Sequence, residues 1–179
     1  MIDPVPRFDP ERMLLILVEP DVRFVLIGGW AAKLQGSPTV TADIDICYAR
    51  DTDDLERLAI ALASLDVRLR DIDEDVPVSL DARSLRTGDT FTLTTSLGDV
   101  DLIAIPAGSR GYDELVTTAD TLELDDLAVP VASIADLISM KRAAGRPKDL
   151  IEVEVLKALE AEAEEMGRVN DSGSSDVSR

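Results

Sequence analysis

Residues 39–51 read TVTADIDICYARD, and two aspartates stand inside a run that otherwise spells a buried aliphatic strand. Aspartate is depleted in strands, and even a neutral polar group buried without a partner costs roughly 2 to 7 kcal/mol. In a strand, side chains two apart point to the same face with Cα atoms roughly 6.6 Å apart, so Asp43 and Asp45 project together while Ile44 and Ile46 pack behind them. Two such carboxylates repel each other unless positive charge lies between them, either metal cations or Arg and Lys side chains. The run DVDLIAI, 99–105, repeats the pattern and offers a third carboxylate, Asp101 or Asp99. Three carboxylates on neighbouring strands are the donor set of a two-metal site for in-line displacement at phosphorus.

The chain has no histidine, so catalysis here has to run on carboxylates, lysine, hydroxyls or metal-bound water. Oxygen-only ligands favour Mg or Mn over Zn. A net charge of −18 excludes a broad nucleic-acid surface, which needs clustered Lys and Arg to displace counterions. One cysteine, Cys47, forms no internal disulfide, and the first residues carry no basic-plus-apolar signal pattern, so a reducing cytoplasm is the expected setting. The longest apolar runs, MLLILV and LAIALASL, fall short of the roughly 20 residues of a membrane helix.

Hydrophobic patterning predicts a helix over 9–18, a buried strand in RFVLIGG, and a short helix in WAAKLQG. The aspartate strand comes next, then a helix in LERLAIALASLD capped by Asp51, Thr52 or Asp53. VRLRDID reads as an edge strand and VPVSLDARSLRTGD as a loop or short hairpin, without a decisive pattern in either. TFTLTTSL and DVDLIAI read as strands, GYDELVTTA as a helix, and TLELDDLAVPVA as a strand pair. SIADLISMKRAA reads as a helix capped by Ser133, and a long last helix follows Pro147. One domain is expected over 1–167, with its core at about 20–105 and a C-terminal helical part at about 111–167; residues 168–179 have the composition of a disordered tail. The fold class is α/β, a small mixed β-sheet flanked by helices, with the aspartate strands near its centre and a C-terminal helical segment closing one side of a cleft.

An aliphatic strand, Gly28-Gly29, thirteen residues, then Asp-Ile-Asp-Ile and later an aliphatic-flanked Asp resembles the DNA polymerase beta-like nucleotidyltransferase superfamily. The resemblance implies that Asp43 and Asp45 are the paired ligands of two Mg ions, and that Asp101 is the third carboxylate. Val100 and Leu102 flank Asp101, whereas Asp99 follows Gly98 at the strand entry. It further implies that Gly28 and Gly29 contact the triphosphate of an NTP. The nearer likeness, over about 20–160, is to the minimal nucleotidyltransferases found as abortive-infection and toxin-antitoxin toxins. Their C-terminal motif is matched in SMKRAAGRPKDLIEV by Lys141, Arg146, Lys148 and Asp149. The nonapeptide 140–148 carries +4 inside an acidic chain, the charge distribution of a polyphosphate clamp. Lys141 is the candidate for nucleotide phosphate, Arg146 and Lys148 for phosphate or acceptor, and Ser37 for a hydroxyl in the phosphate region.

The sequence departs from the family pattern where Thr39 stands in place of a common arginine and Gln35 in place of a common histidine. Cys47 reads as a small buried filler and Trp30 as helix packing. The implied activity is Mg-dependent (or Mn-dependent) transfer of an NMP from an NTP to a hydroxyl acceptor, a tRNA end or a protein side chain, with a cognate antitoxin as a further partner. An RNA acceptor would be met through the basic nonapeptide together with Arg83, Arg86 and Arg110. The rival reading is a non-catalytic nucleotide- or partner-binding module on the same fold; a metal-dependent phosphodiesterase is a third, disfavoured by the absence of histidine.

Overall fold

A computed structural model describes residues 8–70 and 80–173, with side chains described as far as residue 166. Its elements in chain order are α1 (Pro10–Val18), β1 (Phe24–Ile27), α2 (Gly28–Leu34), β2 (Asp43–Tyr48), α3 (Thr52–Ala63), β3 (Arg68–Leu69), α4 (Ala82–Thr87), β4 (Thr90–Thr95), β5 (Gly98–Ile103), α5 (Tyr112–Thr118), β6 (Asp120–Leu124), β7 (Leu127–Val131), α6 (Ile134–Ala144) and α7 (Pro147–Gly173). Among the described residues seven strands form one sheet in the order β3-β4-β5-β2-β1-β7-β6. β2 lies at its centre, antiparallel to β1 and parallel to β5, while β4 and β5 form an antiparallel pair. This is the mixed, helix-flanked sheet expected, with both aspartate strands in the middle.

The burial pattern shows why the central strand tolerates its carboxylates. Ile44 and Ile46 are fully buried in the core, and so are Cys47 and Tyr48, while Asp43 and Asp45 keep partial access to solvent. All four β1 residues are buried, as a strand covered on both faces must be. Tyr48 is the largest fully buried side chain, and its hydroxyl donates to the Leu85 carbonyl at 3.1 Å, tying β2 to α4. Cys47 is the packed filler expected of it. Trp30 is buried beside Phe8, at a ring separation of 6.3 Å, away from the residues that line the cleft.

Local signals explain several helix ends. Asp9 caps α1 by accepting from the Arg12 N–H, with Pro10 opening the first turn. Ser133 caps α6 through the Asp136 N–H, and Gly145 ends it in the left-handed conformation before Pro147 opens α7. At α3 the capping residue is Asp51, but its side chain makes no cap bond and instead pairs with Arg23. The stretch read as a loop or hairpin contains α4, a helix of six residues capped by Asp81, which accepts from the Ser84 N–H at 2.7 Å. β3 confirms an edge strand at 68–69; residues 71–79, the remainder of that segment, lie outside the described residues. α7 runs on to Gly173, past the expected end of the domain at 167, and 174–179 lie outside the described residues, as do residues 1–7.

Asp54 is buried, at 1% exposure, with Arg23 and Arg57 on its two oxygens. Burial pushes its carboxyl up, but the hydrogen bonds and charges of both arginines outweigh this and hold it below the ordinary carboxylate range. Its contribution is therefore present above the unfolded pKa and lost as pH falls through the folded one. Asp54→Asn is expected to destabilise the fold by about 2 kcal/mol at pH 7, measured by urea unfolding, with the difference from wild type shrinking toward acid pH.

Candidate active site

One cleft of about 670 Å³ is lined by Gly28, Gly29, Ser37, Asp43, Asp45, Asp101, Lys141, Arg146 and Lys148, whereas Asp99, the alternative third carboxylate, is not among its lining residues. The elements that deliver them are far apart in sequence. The β1–α2 junction supplies the glycines, the loop before β2 supplies Ser37, β2 and β5 the carboxylates, and the α6–α7 corner the cations. Arg83, Arg86 and Arg110 are not among the lining residues; Arg86 instead donates to the Thr52 hydroxyl.

The parallel register of β2 and β5 sets Asp45 beside Asp101 and Asp43 beside Asp99. Asp43, Asp45 and Asp101 each offer an oxygen, and these oxygens all lie within 4.8 Å of one another. Asp99 is engaged elsewhere: one oxygen accepts from the Thr94 hydroxyl at 2.8 Å, and the other faces Arg70 Nε at 3.3 Å. Thr41, which the sequence reading had passed over, donates its hydroxyl to Asp43 Oδ1 at 2.5 Å.

The triad carries strain of an electrostatic kind. Burial pushes the Asp45 carboxyl up to about 7, the charges of Asp43 and Asp101 push the same way, and Lys141 and the Gly29 N–H only partly oppose them. Burial also raises Asp101, with Arg70 acting against it and Asp43 and Asp99 adding to it. Asp101 Oδ1 is buried and lacks an aligned hydrogen-bond donor, although Arg70 Nη2 is 2.9 Å away. Three clustered oxygen donors, one of them orphaned and one held against ionisation, fit a hard divalent cation.

The glycine pair is required by contact, and Gly28 by conformation as well. Gly28 has φ +70°, and a Cβ built on it would fall 2.0 Å from Asp45 Oδ2. A Cβ on Gly29 would fall 2.8 Å from the Thr41 side chain. The backbone therefore passes directly over the residues that bear and orient the carboxylates, and no side chain caps the first turn of α2.

The basic corner differs from its appearance in sequence. Lys141 pairs with Glu152 at 2.5 Å and faces Asp149 at 3.9 Å, while Arg146 Nε donates to Asp149 Oδ2 at 2.5 Å. The two acids come from the first turns of α7, so part of the +4 of the nonapeptide is neutralised within the fold. Ser37 Oγ lies 3.5 Å from Glu152 Oε1, which joins the loop before β2 to the same network. Asp149 and Glu152 stand three apart and thus share a helix face, a spacing that was available in the sequence.

No protein-family model matches the sequence, and no curated protein matches it. Among solved structures, the chain is similar to the lincosamide antibiotic adenylyltransferase LnuA, lincomycin-bound, with a TM-score of 0.56 at 15% identity, covering 86% of this chain and 99% of that one. The chain has a nucleotidyltransferase fold. A further likeness is to the antibiotic-resistance factor ANT(2'')-Ia, with a TM-score of 0.49 at 15% identity over 92% of this chain and 94% of that one. Among the described residues no helix is long and apolar enough to cross a membrane.

Proposed function

We propose that this chain is a metal-dependent nucleotidyltransferase that moves an NMP from an NTP to a hydroxyl acceptor, in a cytoplasmic setting. The observation that carries the reading is the convergence of Asp43, Asp45 and Asp101 within 4.8 Å, in a cleft also lined by Gly28, Gly29 and the cations of the α6–α7 corner. Residues 20–105 form the catalytic core in this reading, and 111–167 close the cleft.

Asp43, Asp45 and Asp101 would hold Mg or Mn, which when bound supplies charge neutralisation at the phosphates and at the attacking oxygen. The chain's own groups do the rest. The Gly28-Gly29 turn, with Ser37, faces the triphosphate; Lys141, Arg146 and Lys148 take its non-bridging oxygens. The acceptor oxygen forms a bond to the α-phosphorus as the bond to pyrophosphate breaks, and the acceptor proton passes to a carboxylate, for which Asp101 is the candidate. Lys141 has to exchange Glu152 for phosphate, so Lys141→Ala is expected to weaken NTP binding about tenfold in titration calorimetry, the loss of one charge-assisted hydrogen bond.

The acceptor we propose is a tRNA end or a protein side chain, and the physiological role that of a toxin with a cognate antitoxin. Among the described residues no aromatic side chain lines the cleft, and the net charge is −18, so an RNA acceptor would enter by a short end rather than along a track. The internal pairing of Lys141 and Arg146 is the observation that favours the second reading, a non-catalytic nucleotide- or partner-binding module. Incubation with each α-labelled NTP, Mg, and either total tRNA or a protein extract separates the two. Transfer of label that disappears in Asp43→Ala supports the enzyme, and NTP binding with no transfer and no pyrophosphate release supports the module.

A further inference from the structure

Arg70 belongs to no motif, yet the sheet carries it to the edge of the triad. Its backbone N–H donates to the Thr92 carbonyl at 3.0 Å, Thr92 is in register with Asp101, and Asp101 is in register with Asp45. One row across the sheet therefore aligns an arginine at the outer edge with the two innermost carboxylates. Register partners point to the same face, so the guanidinium reaches over the short side chain of Thr92 toward Asp101.

The guanidinium is held at several points. Nη2 donates to the Leu93 carbonyl at 3.2 Å, Nε faces Asp99 Oδ2 at 3.3 Å, and Nη2 faces Asp101 Oδ1 at 2.9 Å. The Thr94 hydroxyl occupies the other oxygen of Asp99. Asp99 thus has one oxygen hydrogen-bonded and the other ion-paired to the arginine, while Asp101 presents Oδ1 to the same guanidinium. The side chain of Arg70 is 23% exposed, unlike the solvated pairs whose geometry means little.

We infer that Arg70 is a positioning residue for the third carboxylate: anchored by its hydrogen bond to the Leu93 carbonyl and by the charge of Asp99, its planar guanidinium is set at a fixed place against Asp101 Oδ1 and so restricts the Asp101 carboxylate that a divalent cation meets. The inference rests on the reading that the triad binds such a cation. Two effects of Arg70 oppose each other. Its charge repels the cation, and its fork orients a ligand of that cation. Groups that orient metal ligands from outside are worth about 10- to 100-fold in metal affinity. Unit charges screened by a partner such as Asp99 are worth less, so orientation is the larger effect.

Arg70→Lys separates the two, because it keeps the charge and loses the fork. Mn binding, read from the aqueous Mn signal in electron paramagnetic resonance, needs neither an NTP nor an acceptor. Arg70→Lys is expected to raise the Kd for Mn about tenfold, with metal-free melting close to wild type, and Arg70→Gln is expected to raise it as well. A lysine variant that binds Mn like wild type, or a glutamine variant that binds more tightly, would show that Arg70 acts by charge alone and overturn the inference. Wild-type protein that takes up no Mn would overturn the cation reading and this inference with it.

Discussion

Replacing Asp45 by asparagine is expected to abolish transfer and, at the same time, to raise the melting temperature of the metal-free protein. The two effects have one cause. Burial, together with the charges of Asp43 and Asp101, lifts the Asp45 carboxyl to about 7 from an unfolded value of 3.8. The fold therefore favours the protonated form. Stability linked to this group is full below 3.8 and is lost as pH rises through about 7, so near neutrality the ionised carboxylate is a liability on the order of 2–4 kcal/mol. Asparagine stays neutral at every pH and keeps the size of the side chain. A gain of about 5 °C or more is expected at pH 7.5 without metal, shrinking to nothing near pH 4. Adding Mg at pH 7.5 reverses the ranking in part, because a ligand that binds the folded state stabilises it and the wild-type triad is the better ligand. Thermal melts of both proteins across pH, with and without Mg, measure all of this.

Gly28→Ala is the second large effect, and it reaches the same carboxylate from the backbone side. The added methyl would lie 2.0 Å from Asp45 Oδ2 and 2.6 Å from its Cγ, and residue 28 would have to keep φ near +70°. The left-handed conformation alone costs about 1–3 kcal/mol in a residue with a side chain. Asp45 has to turn away as well, and a displacement of about 1 Å at a reacting centre costs about 100-fold in rate. The expected outcome is a clear loss of stability in urea and a loss of transfer of about 100-fold. Gly36→Ala is the control: its φ is +103°, but the nearest side-chain atom, on Leu159, is 3.6 Å away. That variant is expected to lose comparable stability while keeping most of its activity.

Features written in local pattern were legible in the sequence. Alternating carboxylates and aliphatics marked β2 and β5, and a capping serine, a glycine and a proline marked the ends of α6 and the start of α7. The preference for Asp101 over Asp99 rested on flanking aliphatics; in the register of β2 with β5 Asp101 is the residue opposite Asp45, while Asp99 accepts from the Thr94 hydroxyl and does not line the cleft. What escaped was whatever depends on pairing across the fold. Arg70 acts across two strand boundaries, and nothing around it in sequence announces Asp101. The basic nonapeptide looked unopposed because Asp149 and Glu152 follow it; only the turn at Gly145 and Pro147 folds α7 back to bring them onto Lys141 and Arg146. α4 has six residues and one buried side chain, Leu85, too few for a helical period to show.

The central physical claim is that an aliphatic strand tolerates neighbouring carboxylates because cations gather there. Anomalous diffraction from crystals grown with Mn and a non-hydrolysable NTP tests it most directly. Mn peaks are expected in contact with Asp43, Asp45 and Asp101, with the triphosphate beside Gly28, Gly29 and Lys141. A nucleotide bound elsewhere, or a triad without Mn while the metal is found at other carboxylates, would contradict it.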